Sequence, residues 1–116
     1  MVHFMKLWDN PFKSIQSGRK TIEMRLNDEK RKLINVGDDI EFVNVETGEK
    51  LRCEVVNLFK YASFDELYLN HNKVSIGYCE DEVADPKDML KYYSASDIEK
   101  YGVLGIEIKL LWYPLL

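Results

Sequence analysis

The chain has 116 residues, 46% of them hydrophobic and 31% charged, with a formal net charge of −4 at pH 7. That length suits one domain, spanning residues 1–116, with one core. No apolar run reaches the roughly 18–20 residues a membrane span needs, and the acidic total excludes a generic polyanion binder, which is usually basic overall. The opening MVHFMKLWDN meets Trp8-Asp9 before a signal-peptide core forms, so the reading is a cytoplasmic chain that starts at Met1.

HFMKL alternates apolar and polar residues and reads as the first strand. DNPFKSIQSG then carries both helix punctuation marks. Asp9 or Asn10 is placed to cap, Pro11 has no amide to leave unpaired, and Gly18 takes the left-handed exit, so a short helix is predicted over 11–17. KTIEMRL alternates strictly: Ile22, Met24 and Leu26 point one way and Thr21, Glu23 and Arg25 the other, as in a strand with one buried face. From Gly37 to Lys60 the pattern is a hairpin that turns at Glu46-Thr47-Gly48-Glu49. A Ser63/Glu66 capping box opens the next helix, Asp85-Pro86 starts another, and a Ser96/Glu99 box starts a third that stops at Gly102. The last strand puts Ile106, Ile108 and Leu110 on the core face, opposite Glu107 and Lys109, and must pair inside the sheet because an exposed edge of this composition would be sticky. These elements predict an α+β fold: a small, mostly antiparallel sheet of five or six strands closing toward a barrel, with three or four short helices beside it.

Charge is unevenly placed. Between Arg19 and Lys32 six cations face three acids, a local charge of +3, whereas Lys60 to Lys100 carries nine acids against five lysines, a local −4. Cys53 lies in an apolar strand pattern and reads as core. Cys53, Cys79, His3 and His71 lack the spacing of a zinc site, so neither a metal nor a cofactor is expected. His71 reads as a helix-end residue.

At GRKTIEMR the positions Gly18, Lys20, Glu23 and Arg25 match a G-x-K-x-x-E-x-R signature, and the chain resembles the ASCH domain family there, with further likeness at RLNDEKR, VGDDIEF and YYSASDIEKYGVLGIEI. The resemblance implies a PUA-like barrel with a cleft beside the motif strand, suited to RNA or a nucleotide-like ligand. One group of stand-alone ASCH proteins hydrolyses acetylcytidine with a lysine, a threonine three residues on and a distant glutamate, an acid with no clear counterpart here although Glu80 and Glu82 follow the corresponding helix. Lys20 matches the lysine, but Glu23 stands where that threonine is expected.

The charged residues have a physical reading of their own. Glu23 and Arg25 project from one strand face, and Lys20 reaches the same space from the rim. Two cations beside one carboxylate keep it ionised and offer donors to a phosphate. Lys30 and Arg31 in the turn are candidate phosphate contacts, and Trp8 and Tyr93 are candidate stacking surfaces for a base. The bland reading is a solvated strand face with a cross-strand ion pair, core packing for the two aromatics and a charged turn for the two cations. As a binding module the site is Lys20, Glu23 and Arg25 helped by these residues. As an enzyme, Lys20 is the base or nucleophile with Glu23 assisting proton transfer. The apolar ending LLWYPLL caps the barrel or forms a homodimer contact through the last strand, so the chain is a monomer or a dimer.

Overall fold

The computed structural model describes residues 1–112 and the side chains of residues 1–111. The elements run in the order β1 (Val2–Leu7), α1 (Asp9–Gln16), β2 (Ile22–Leu26), a 3-10 turn at Arg31–Leu33, β3 (Asp39–Asn44), β4 (Lys50–Tyr61), α2 (Phe64–Asn70), a 3-10 turn at Pro86–Lys91, α3 (Ala95–Tyr101) and β5 (Val103–Trp112). The strands form one sheet in the order β1-β3-β4-β5-β2. Only β1 and β3 are parallel, as a helix-containing connection between them allows, and the other neighbours are antiparallel. β5 lies between β4 and β2, so its apolar residues are paired inside the sheet, as expected.

The sheet curls into a half-barrel for a visible reason. β4 is long enough to pair with β3 through its first half and with β5 along nearly its whole length, and its register slips between Val55 and Asn57. Such an irregularity bends the strand and increases its twist. Inside the curl, Ile40, Phe42, Leu51, Val55 and Ile106 join Phe12 and Ile15 of α1 in the main core. Cys53 belongs to it, and burial pushes its thiol up to about 12. A second cluster holds Ile22, Met24 and Leu26 of β2 against Phe64, Leu67, Ile76 and Met89. The main core turns the sheet; the second attaches the segment from α2 to the 3-10 turn at Pro86–Lys91 beside β2.

Several local expectations are corrected. β2 does not have one buried face: Glu23, on the face opposite Ile22 and Met24, is only 3% exposed, because the loop through Gly77 and the aromatic segment after it share the space on that side. Helix α1 begins at Asp9, not Pro11, and neither Asp9 nor Asn10 is its cap; Trp8 holds the cap position, and the Glu46 carboxylate accepts from the Asp9 amide at 2.7 Å. Asp9 instead accepts from the buried Asn44 amide group at 2.9 Å, tying the helix to β3. In α3 the cap is Ser94, whose hydroxyl accepts from the Asp97 amide at 3.1 Å, and not Ser96 with Glu99. The Ser63 cap on Glu66 and the Asp85-Pro86 start are found as read, the latter opening a 3-10 rather than an α-helix. No described helix is long and apolar enough to cross a membrane. Residues 113–116, on which part of the predicted C-terminal contact falls, lie outside the described residues.

Candidate functional site

Lys20 is positioned by the turn that follows α1. Gly18 adopts a φ of +82°, a left-handed value that suits glycine. The Lys20 amide then donates back to the Ser14 carbonyl at 3.0 Å, and the Thr21 and Ile22 amides both donate to the Ser75 carbonyl at 2.9 Å. The chain thus enters β2 with Lys20 turned under the 72–79 loop, where its stem lies against Gly77. The strand pleat then sends Glu23 and Arg25 to one face.

The three charges meet there. Lys20 Nζ is 2.8 Å from Glu23 Oε1, and Arg25 Nε donates to Glu23 Oε2 at 2.8 Å. Lys20 is 8% exposed and the Arg25 side chain 15%, so the sequence-based picture of a lysine reaching in from the rim becomes one of a lysine built into the floor. Burial pushes the Glu23 carboxyl up. The charges of Lys20 and Arg25, with the hydrogen bonds both donate, outweigh it and hold the carboxyl at about 2. Burial likewise works against the Arg25 charge, but Glu23 raises its pKa above the usual arginine value, with a smaller contribution from Tyr93. Arg25 Nη2 also donates to the Lys6 carbonyl at 2.9 Å. β1 and β2 are the two ends of the sheet, so this side chain ties the half-barrel's edges together at the site itself.

A cleft of about 1050 Å³ opens over this triad. Of the residues named from sequence, Lys20, Glu23, Arg25, Trp8 and Tyr93 line it, and Lys30 and Arg31 do not. Lys30 is exposed, while Arg31 is drawn to Asp28, its Nη1 3.3 Å from Oδ2. Trp8 is 61% exposed at the cleft. Tyr93 has one ring face stacked on Phe64 at 6.0 Å between centroids, and burial pushes its phenol up against the opposing pull of Arg25. His71 sits at the end of α2, 2.9 Å from the Tyr61 hydroxyl, and is not among the cleft residues.

Sequence reasoning missed several lining residues: the cations Lys6, Arg19 and Lys91, the exposed Tyr92, and the Tyr68, Tyr78 and Asp88 group. Proximity to the motif marks only Arg19; the others arrive from β1, α2 and the segment after it, and no local pattern singles them out. Five cations (Lys6, Arg19, Lys20, Arg25 and Lys91) face three carboxylates (Glu23, Glu82 and Asp88), so the cleft carries +2 within a chain of −4. Among the described residues, no group of three or more His, Cys, Asp or Glu is placed to hold a metal ion.

A small domain whose curled sheet places a buried ion triad beside a wide recess is thus defined by its own geometry. The chain belongs to the ASCH domain family, whose model matches residues 5–111. It is similar to hypothetical protein PH0355, known from a crystal structure, at 31% identity over 96% of this chain and 100% of that one, with a TM-score of 0.81. It is similar also to protein PF0455 from Pyrococcus furiosus, solved by solution NMR, at 32% identity over 97% of this chain and 100% of that one, with a TM-score of 0.74. The ASCH protein of Zymomonas mobilis shares the fold, with 14% identity, a TM-score of 0.67, and coverage of 93% of this chain and 66% of that one. The half-barrel is accordingly the PUA-like α+β fold that the motif resemblance implies. No curated protein matches the sequence.

Proposed function

We propose that this ASCH domain binds RNA or a nucleotide-like ligand in the cleft beside β2, with Lys20 and Arg25 as the anion-holding groups and Glu23 as the counter-charge that positions both. The observation that carries this reading is the buried triad itself: two cations on one carboxylate, net positive, in a cleft of +2. Charges inside a recess with low-dielectric walls act more strongly than the same charges on open surface. An ammonium has three donors and a guanidinium five, more than Glu23 and the Lys6 carbonyl engage. Exposed Trp8 at the cleft offers a face for a base. Lys30 and Arg31 lie off the cleft and enter this reading only as outer contacts for a ligand longer than one nucleotide.

The hydrolytic alternative keeps Lys20 and Glu23 as its chemical pair. A carboxylate held at about 2 accepts a proton poorly near neutral pH, and both its oxygens already serve cations, so the geometry supports binding over hydrolysis.

The test is a titration of the wild-type chain and Lys20→Ala with short single-stranded RNA and with nucleoside monophosphates, repeated over a salt series. Lys20→Ala is expected to weaken binding about tenfold or more and to flatten the salt slope by about one. Equal affinity and slope in the two proteins would overturn the assignment.

A further inference from the structure

The three carboxylates of the cleft have different duties. Both oxygens of Glu23 are taken by Lys20 and Arg25. Glu82 is exposed and accepts from the Cys79 amide at 2.6 Å, closing a turn of its own loop. Asp88, on the 3-10 turn at Pro86–Lys91, is oriented from below. Its Oδ2 accepts from the Tyr78 hydroxyl at 2.7 Å, and the Tyr78 hydroxyl lies 2.9 Å from that of Tyr68. The two rings hold each other edge to face with centroids 5.8 Å apart. The Asp85 carbonyl is a second, longer acceptor for the Tyr78 hydroxyl at 3.1 Å, and the shorter contact is the one to Asp88. Each phenol has one proton, so the order Tyr68 to Tyr78 to Asp88 gives both protons an acceptor. Burial first, then the bonds to Tyr68 and Asp88, push the Tyr78 phenol up and keep it a donor. The other oxygen, Oδ1, is 4.0 Å from Lys91, and the side chain is 41% exposed.

A carboxylate fixed in this way is a directed acceptor in a cleft whose floor favours anions. It repels a phosphate from its own wall and accepts from an N–H. One molecule satisfies both ends when it carries negative charge at one end and an amine at the other. A nucleobase with an exocyclic amine donates to such an oxygen, whereas an oxo group at the same position meets it lone pair to lone pair.

We infer that Asp88 is a specificity-determining residue of the cleft, accepting a hydrogen bond from the exocyclic amine of a nucleobase whose phosphate is held by Lys20 and Arg25. This rests on the nucleotide reading above and adds which bases the cleft prefers. Tyr78 is a positioning residue that acts through Asp88.

The test compares matched pairs of monophosphates, CMP with UMP, AMP with IMP, and GMP with IMP, on the wild-type chain, Asp88→Asn and Tyr78→Phe. In the wild type at least one amine-bearing member binds about tenfold more tightly than its partner, the size of a good base contact. Asp88→Asn, whose amide oxygen still accepts from Tyr78 and whose amide group then turns donors toward the base, abolishes that preference. Tyr78→Phe lowers the ratio while the affinity of the partner lacking the amine is kept, a split that general loss of structure would not produce. Pairs that bind alike in the wild type, or a preference that survives Asp88→Asn, overturn the inference and leave phosphate binding standing. A wild-type chain that binds none of the monophosphates and no short RNA removes the nucleotide reading beneath it as well.

Discussion

Residues 19–25 and 28–32 belong to one basic stretch of sequence, and the fold treats them in opposite ways. In the first, Lys20, Glu23 and Arg25 are drawn inward to contacts of 2.8 Å. In the second, Arg31 pairs with Asp28 at 3.3 Å and Lys32 with Glu29 at 3.6 Å, each three residues apart around a turn, with Lys32 and Glu29 exposed. Similar charge density gives a charged cleft floor in one case and a largely solvated turn in the other, with Arg31, its side chain only 19% exposed, as the turn's half-buried exception. The difference is desolvation: a charge in the recess depends on its partner, whereas Lys30, Lys32 and Glu29 are satisfied by water.

The largest effect expected from that contrast is at Glu23. Glu23→Gln leaves Lys20 and Arg25 buried without an anion, and breaking a buried pair in this manner costs about 3–5 kcal/mol. A urea midpoint that moves by less than a surface substitution would put the triad on the same footing as the turn. The wild-type chain carries a matching pH signature. The Glu23 carboxyl goes from an ordinary 4.5 to about 2 on folding. A depressed folded value means the stabilisation is fully present above the unfolded pKa. It is lost as pH falls from about 4.5 through about 2, and its order of magnitude is 3 kcal/mol. Glu23→Gln should remove that slope, and denaturant melts between pH 5 and 2 read it directly.

Gly77 gives a smaller and more local break. It has a φ of +116°, and a side chain there would place its Cβ 3.4 Å from Lys20 Cδ. Gly77→Ala combines backbone strain of about 1–2 kcal/mol with a new methyl in van der Waals contact with the lysine stem. It should lower the thermal midpoint modestly and weaken ligand binding, while the same change at exposed Gly48, which has φ +78° and open space around it, shows the backbone strain alone. Binding that falls no further in Gly77→Ala than in Gly48→Ala would separate Lys20 placement from this loop.

The contrast between the two halves was only partly legible beforehand. Strict alternation from Thr21 to Leu26 reports which residues share a face, because the pleat is a local property. The hairpin and the closing strand are local patterns too, and they carried the fold class. What covers the polar face of β2 is supplied from residues 72–93, more than forty positions away, so the burial of Glu23 had no local signal. Contacts made outside the local segment also explain the Glu46 carboxylate at the start of α1, 37 residues from Asp9, and the cleft cations Lys6 and Lys91, which come from other elements. The cap of α3 was missed for a different reason: Ser94 and Ser96 both precede a chain that starts helically, each with an acid three residues on, and only the backbone turn at Ser94 decides between them. Charge counts have no depth, so Lys30 and Arg31 look continuous with the motif in the sequence although they lie off the cleft.

The smallest effect is therefore expected at Lys30. It is exposed and off the cleft, so Lys30→Ala should change stability by no more than about 0.5 kcal/mol, as surface substitutions usually do. With a nucleoside monophosphate its affinity should match the wild type within experimental error. With a longer single-stranded RNA, a small loss confined to low salt would mean that the chain of phosphates leaves the cleft past this turn, since exposed charges are screened within about 10 Å at 0.1 M. A loss at Lys30 as large as that at Lys20, with the monophosphate, would place the anion over the turn and remove the distinction between the two halves of the segment.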